Sequence, residues 1–232
     1  MNWNHLNNRA YTPYSGTPKA AIVKGSSGNY YAGVRIENVS FPLTITAIQT
    51  ACCICLAESD TPVSLIIEDK HYDQLSFWEK EFNLDVQVSP LFPDINLKDL
   101  LLPTVADLEQ KLITLLDQAI CPNSNFLVSA LLEVDGGFFE GANVEVSEWA
   151  YGLCAERIAI SKAIAAGFKQ FKSISVHTKY GGISSPCGAC RQVIYEHLPF
   201  NKLRMFHADG SLSEQMTVDM LPFSFKSNIL KK

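Results

Sequence analysis

Between residues 105 and 232 the spacing of apolar positions changes several times, and each change marks an element. Val105, Leu108, Leu112, Leu115, Leu116 and Ile120 recur near helical spacing and predict an amphipathic helix, stopped by Cys121-Pro122. The apolar run 126–134 predicts a buried strand, Asp135-Gly136-Gly137 a hairpin turn, and 138–146 the returning strand. The Ala-rich run 154–166, closed by Gly167, predicts a second helix. A strand is expected over Ser173–Thr178, then a loop entering a helix over 186–198, then a strand from Leu203 before the turn at Asp209-Gly210. This order predicts an α/β fold, a sheet with helices packed on it.

The first half repeats this pattern in worn form. Residues 33–57 align without a gap on 141–165, 108 positions apart: Gly33 on Gly141, Glu37 on Glu145, Ala47 on Ala155, Ala51 on Ala159. Upstream, Pro13, Ser15 and Ala21 match Pro122, Ser124 and Ala130, with one residue gained or lost in the glycine turn. An ungapped match through strand, loop and helix indicates an internal repeat. Residues 88–103 hold Pro90, Pro93 and Pro103 and break any regular pattern. The expected organisation is one domain over 1–90, a linker over 91–104 and a second domain over 105–232.

Composition narrows the class. Apolar residues make up 47% and charged residues 19%, which suits a folded globular chain and not a disordered one. The net charge of −5, with no basic run, lacks the electrostatic footprint of a nucleic-acid binder. No apolar run approaches a membrane span, and the polar N-terminus shows no secretory h-region. The expectation is a cytoplasmic protein with reduced thiols and no nucleic-acid or membrane partner. Seven cysteines fit poorly with a complete disulfide framework, so some should be metal ligands or core residues.

Two places compete for that role. Cys52 and Cys55 form a C-x-x-C pair within "ACCICLAE". In the repeat register Cys52, Cys53 and Cys55 fall on Ile160, Ser161 and Ala163, inside a helix, where small thiols pack as core. The other place is Cys154-Ala155-Glu156, followed after a strand by Pro186-Cys187-x-x-Cys190. Here each cysteine group opens a predicted helix, where unpaired N–H groups and the helix dipole favour thiolate. Two such helix ends aimed at one point could gather three thiolates on Zn²⁺, leaving the fourth position for water, the catalytic arrangement. Glu156 would lie beside that water as proton shuttle. A structural zinc site would want a fourth protein ligand; His177 or His197 could supply one only from a distance. The C-x-E then P-C-x-x-C order is a zinc deaminase signature.

The stretches "GANVEVSEWAYGLCAERIAI", "SPCGACRQV" and "MTVDMLPFSF" resemble cytidine deaminases, from Phe126 to about Phe225. The first half resembles them through "AYTPYSG" and "IENVSF". The resemblance implies a three-layer α/β/α fold with a mixed, about five-stranded sheet, present twice. It implies hydrolysis of cytidine and 2′-deoxycytidine to the uridines with release of ammonia, in pyrimidine salvage. It also implies one Zn²⁺ per chain in the second domain and a homodimer of four cores. By position, Cys154, Cys187 and Cys190 would hold zinc, Glu156 would move protons, and Arg157 would offset the thiolate charge. Phe126, Asn143 and Glu145 would contact the nucleoside, the Ala155 N–H would face the attacking oxygen, and Phe225 would cover the base across a subunit boundary. Val146 and Glu148-Trp149 depart from the family's usual loop.

The first half has lost the chemistry: Thr46 stands at the Cys154 position, Ile48 at the Glu156 position, and no P-C-x-x-C follows. It keeps the family's loop pattern, which the second half has lost, so Val39 and Phe41 are expected to complete the zinc site from the other domain. Two rival readings remain. One is a deaminase for another aminopyrimidine nucleoside. The other is a zinc-stabilised interaction module without catalysis, against which Glu156 argues.

Overall fold

The computed structural model describes residues 1–225 and residue 230. The first half runs α1 (Trp3–Asn7), β1 (Ala20–Gly25), β2 (Tyr30–Val34), α2 (Ala47–Ala57), β3 (Pro62–Ile67), α3 (Leu75–Phe82) and β4 (Asp85–Val88). The second runs α4 (Leu108–Leu115), β5 (Val128–Val134), β6 (Gly137–Ala142), α5 (Ala155–Ala166), β7 (Ser173–Thr178), α6 (Gly188–His197), β8 (Lys202–Phe206) and β9 (Leu212–Met216).

Two mixed sheets result, ordered β2-β1-β3-β4 and β6-β5-β7-β8-β9. Each starts with an antiparallel hairpin, adds a third strand antiparallel to the first, and then a parallel strand. A parallel neighbour needs a long crossover, and α3 and α6 supply it. The fifth strand, β9, is an antiparallel edge strand with no counterpart in the first half, whose sheet has four.

Strand alternation builds the layers. Leu131 faces Leu112 and Leu115 of α4, whereas Ala130 and Leu132 join the larger core with α5. The second sheet is therefore covered on both faces, as the three-layer expectation required. Helix α2 lies on β1 and β2, α5 on β5 and β6, and the two helices touch. Every residue of α2 is buried, and α5 is buried except at Arg157 and Ala166. Helices this apolar all round belong inside a molecule. One core cluster runs through both halves, and each fully buried isoleucine in it, such as Ile48 or Ile158, contributes about 2 kcal/mol.

The repeat is visible in geometry. A Cβ on Gly141 would fall 2.0 Å from the Ala155 carbonyl oxygen, and one on Gly33 would fall 2.3 Å from that of Ala47. Both helices press on their hairpins so closely that only glycine fits. Backbone bridges repeat as well: Tyr11 with Ile36 and Ile120 with Val144, then Ile36 with Ile45 and Val144 with Leu153.

The halves hold each other reciprocally. Arg157 Nη2 donates to the Leu43 carbonyl at 3.1 Å, and Gln49 Nε2 donates to the Tyr151 carbonyl at 3.0 Å. Gln49 and Arg157 are 108 positions apart, as are Leu43 and Tyr151. The Val39 N–H donates to Glu196 on α6 at 2.8 Å, and the Ser147 N–H donates to Glu81 on α3 at 2.8 Å. This is the self-complementary pattern of a two-fold interface, built within one chain. Buried Lys162 of α5 adds an ion pair to Glu58 at the end of α2 (2.6 Å), and Lys98 pairs with the same carboxylate (2.9 Å).

Some elements differ from the sequence expectation. The first helix of the second half is shorter than 105–120, because the Asp107 side chain caps its start and the last turn tightens to a 3₁₀ turn over Leu116–Gln118. Residues 89–103 form neither helix nor strand, yet they bridge both hairpins, through Leu97 to Tyr30 and Leu102 to Phe138.

Candidate active site

Cys154 is the N-cap of α5, Cys187 is the N-cap of α6, and Cys190 sits in the first turn of α6. Their sulfur atoms lie within 4.8 Å of one another, and Cys154 and Cys187 are 3.9 Å apart. A tetrahedral zinc with Zn–S near 2.3 Å places its sulfurs about 3.8 Å apart. The spacing suits one ion. Among the described residues this is the one group of three metal-ligating side chains so placed. His177 is engaged elsewhere, with Nδ1 on the Phe206 carbonyl at 2.9 Å, and His197 ends α6, far along the helix from Cys187.

Helix ends tune the thiols. Cys187 Sγ accepts from the Cys190 N–H at 3.4 Å. Hydrogen bonds from Cys154 and Cys190 hold the Cys187 thiol well below its usual range, and the same bonds push those two donors up. Binding a divalent cation there would release the protons that the thiols still hold.

Glu156 is 2% exposed, two residues from Cys154. Burial pushes its carboxyl up to about 7, and its Oε2 has no hydrogen-bond partner. A buried oxygen left without a partner costs about 1–3 kcal/mol. An orphaned oxygen of this kind, beside three side chains able to hold a metal ion, makes Glu156 a candidate catalytic group.

A cavity of about 180 Å³ opens beside the cluster, lined by Asn143, Glu145, Trp149 and Cys154 among others. Asn143 and Glu145 thus share a cavity with Cys154. Asn143 accepts from the Val128 N–H and donates to the Phe126 carbonyl (2.8 and 2.9 Å). Glu145 accepts from the N–H groups of Asn123 and Ser124 (2.9 and 3.1 Å) and from the Ser124 hydroxyl. Burial opposes its ionisation, but these donors win and lower its pKa. Phe126 and Phe225 are half exposed, and Ala155 is fully buried. Trp149 on the cavity wall is 66% exposed; the sequence marked it only as a departure from a loop pattern, and its position in the repeat beside Phe41 was the available signal.

Arg157 sends Nη2 to the Leu43 carbonyl, and its Nε is buried without a partner. On the first-half loop, Val39 is tied to Glu196 while the Phe41 side chain is 83% exposed.

The equivalent place in the first half is plugged. Thr46 accepts from the Gln49 N–H in a capping box and donates to Gln74 Oε1 (3.1 Å), which also accepts from Trp78 Nε1 (3.2 Å). Ile48 is fully buried where Glu156 stands in the other half. Cys52, Cys53 and Cys55 are fully buried in α2, and burial raises each thiol's pKa, so "ACCICLAE" is core. No helix among the described residues is long and apolar enough to cross a membrane.

Residues 105–202 match the family model for the cytidine and deoxycytidylate deaminase zinc-binding region, and residues 4–70 match a second model of the same description. The chain is 38% identical to a cytidine deaminase of Sporosarcina psychrophila over 116 residues, covering 49% of this chain and 85% of that protein. It is 39% identical to a probable cytidine deaminase of Dictyostelium discoideum over 114 residues, covering 48% and 77%. A crystal structure of a cytidine deaminase from Burkholderia pseudomallei matches 51% of this chain and 96% of its own, at 36% identity and a TM-score of 0.49.

Proposed function

The chain belongs to the cytidine and deoxycytidylate deaminase family, and from that premise we propose that it hydrolyses cytidine and 2′-deoxycytidine to the uridines, releasing ammonia, in pyrimidine salvage. The observation that carries the reading is the buried Glu156 carboxyl group, in contact with Cys190 and with one oxygen left without a partner, beside three converging thiols. Residues 105–232 form the catalytic domain, 1–90 a non-catalytic copy, and 91–104 the linker. Cys154, Cys187 and Cys190 hold one Zn²⁺ per chain; when bound, zinc supplies the Lewis acidity that activates water.

The residues around it divide the remaining work. Glu156 takes a proton from the attacking water and passes protons to the pyrimidine N3 and to the departing amine. The water oxygen adds to C4 as N3 gains the first proton. The proton of the resulting C4 hydroxyl then passes by Glu156 to the exocyclic amine, the exocyclic C–N bond breaks, ammonia leaves and the C4 carbonyl of the uridine remains. A carboxylate with its pKa raised toward neutrality is suited to both directions of transfer. The Ala155 N–H, at the start of α5, faces the attacking oxygen. Asn143 and Glu145, just past the end of β6, bind the ribose hydroxyls, the amide donating and the carboxylate accepting, with Phe126 packing beside the nucleoside. Arg157 offsets the negative charge of three thiolates. Phe225, Val39 and Phe41 complete the site from other cores, in a cytoplasmic homodimer.

The test is ultraviolet absorbance of cytidine, deoxycytidine and adenosine with the zinc-loaded chain and with Glu156→Ala. Pyrimidine turnover that Glu156→Ala abolishes supports the reading. A zinc-loaded native chain inert toward every aminopyrimidine nucleoside defeats it.

A further inference from the structure

A cavity of about 380 Å³ lies on the seam between the halves, at the opposite ends of α5 and α6 from the cysteines. That volume is within the range of about 300–1,000 Å³ typical of small-molecule sites. One wall is the turn after α1, with Arg9 and Tyr11; the other is the end of α5 and α6, with Phe168, Lys169, Phe171 and His197. The rings are already ordered edge to face: Tyr11 to His197 at 4.6 Å and Phe171 to His197 at 6.1 Å between centroids. Arg9 is fixed by donating Nη1 to the Ala165 carbonyl at 2.8 Å, near the end of α5. Among the described residues no carboxylate lines the cavity itself; the nearest partner of that sign is Glu196, which accepts from the Tyr11 hydroxyl at 2.9 Å.

The internal repeat supplies a control. The related groove, of about 290 Å³, has Ile120 for Tyr11, Pro122 for Pro13 and Leu56 for Ile164. It carries two carboxylates, Glu81 and Glu145, and no lysine or arginine. Shared ancestry therefore does not explain the cations of the first groove, and neither does the general surface of a chain with net charge −5. Guanidinium and ammonium groups beside aromatic rings suit an anion attached to a flat body.

The geometry points to a second ligand site on the seam, for a phosphate-bearing aromatic molecule of the nucleoside monophosphate class. The phosphate lies on Arg9 and Lys169, and the base lies against Phe168, Phe171 and His197. This site is separate from the cysteine cluster and does not depend on the deaminase assignment.

AMP is a suitable probe, titrated by calorimetry into the zinc-loaded full chain with uridine present in excess to occupy the candidate active site. The expected result is saturable binding, with adenosine and inorganic phosphate each weaker by about tenfold or more. Lys169→Glu, at an exposed position, should weaken AMP by about tenfold or more and leave cytidine turnover unchanged. Hydrogen exchange should slow over 9–13 and 164–171. The site is overturned by any of four results: no saturable AMP binding, equal binding by Lys169→Glu, equal binding of inorganic phosphate alone, or protection confined to 143–154.

Discussion

Thr46 and Cys154 occupy the same position in the two halves, 108 residues apart, and only Thr46 caps its helix. The threonine hydroxyl accepts from the Gln49 N–H at 3.2 Å, while the cysteine makes no side-chain cap bond. Where the second half has a candidate metal ligand, the first has a cap. Thr46→Ala should therefore cost about 1 kcal/mol of stability and leave zinc content unchanged. Cys154→Ala should remove zinc while costing α5 no cap. Urea unfolding and metal analysis of both variants check the pair; loss of zinc from Thr46→Ala would count against it.

Glu156→Gln keeps the shape of the side chain and removes its charge. Turnover of cytidine should fall by at least about 10²-fold, with one zinc per chain retained. Stopped-time absorbance and metal content give the two readings.

Chelation should lower the melting temperature, and added zinc should restore it, because an ion bound by the three thiols would tie two helix ends together. A tightly bound ion stabilises by RT ln(1 + [L]/Kd), about 4 kcal/mol at a thousandfold excess over Kd. Cys187→Ser should blunt the response.

Glu58 gives a pH dependence. Burial opposes its ionisation, but Lys162 and Lys98 outweigh burial, and its folded pKa lies below the ordinary glutamate value. A depressed carboxylate pKa contributes stability that is complete above its unfolded value, about 4.3, and is lost as pH falls through the folded value. Glu58→Gln should cost about 3 kcal/mol or more at pH 7, because it leaves Lys162 buried without its charge partner. The variant should also lose part of the acid sensitivity. Thermal melts from pH 7 down to 3 show both effects.

The legible parts of this molecule were those with local signals. Cysteines opening two helices, Gly167 closing one with φ at 102°, and the buried strand Ser173–Thr178 were all readable from short stretches. Strand β9 was not, because Leu212–Met216 is a polar, largely exposed edge strand with no hydrophobic period to betray it. Trp149 was also missed as a cavity residue, because its place beside Cys154 comes from the fold of the loop and not from spacing. The repeat register foresaw that Ile48 replaces Glu156, but not that Gln74 and Trp78 would fill the space. Such contacts join distant segments and leave no mark in either.

The reciprocal bonds from Arg157 to Leu43 and from Gln49 to Tyr151 have a consequence for how this chain tolerates change. Two separate subunits must find one another, and their interface weakens on dilution. Here the linker keeps the partner at a fixed, high effective concentration. A half that lacks the cysteine cluster can therefore change while its loops still brace the helix that begins at Cys154. Damage in that half should surface as lost turnover, with every group around the substrate intact.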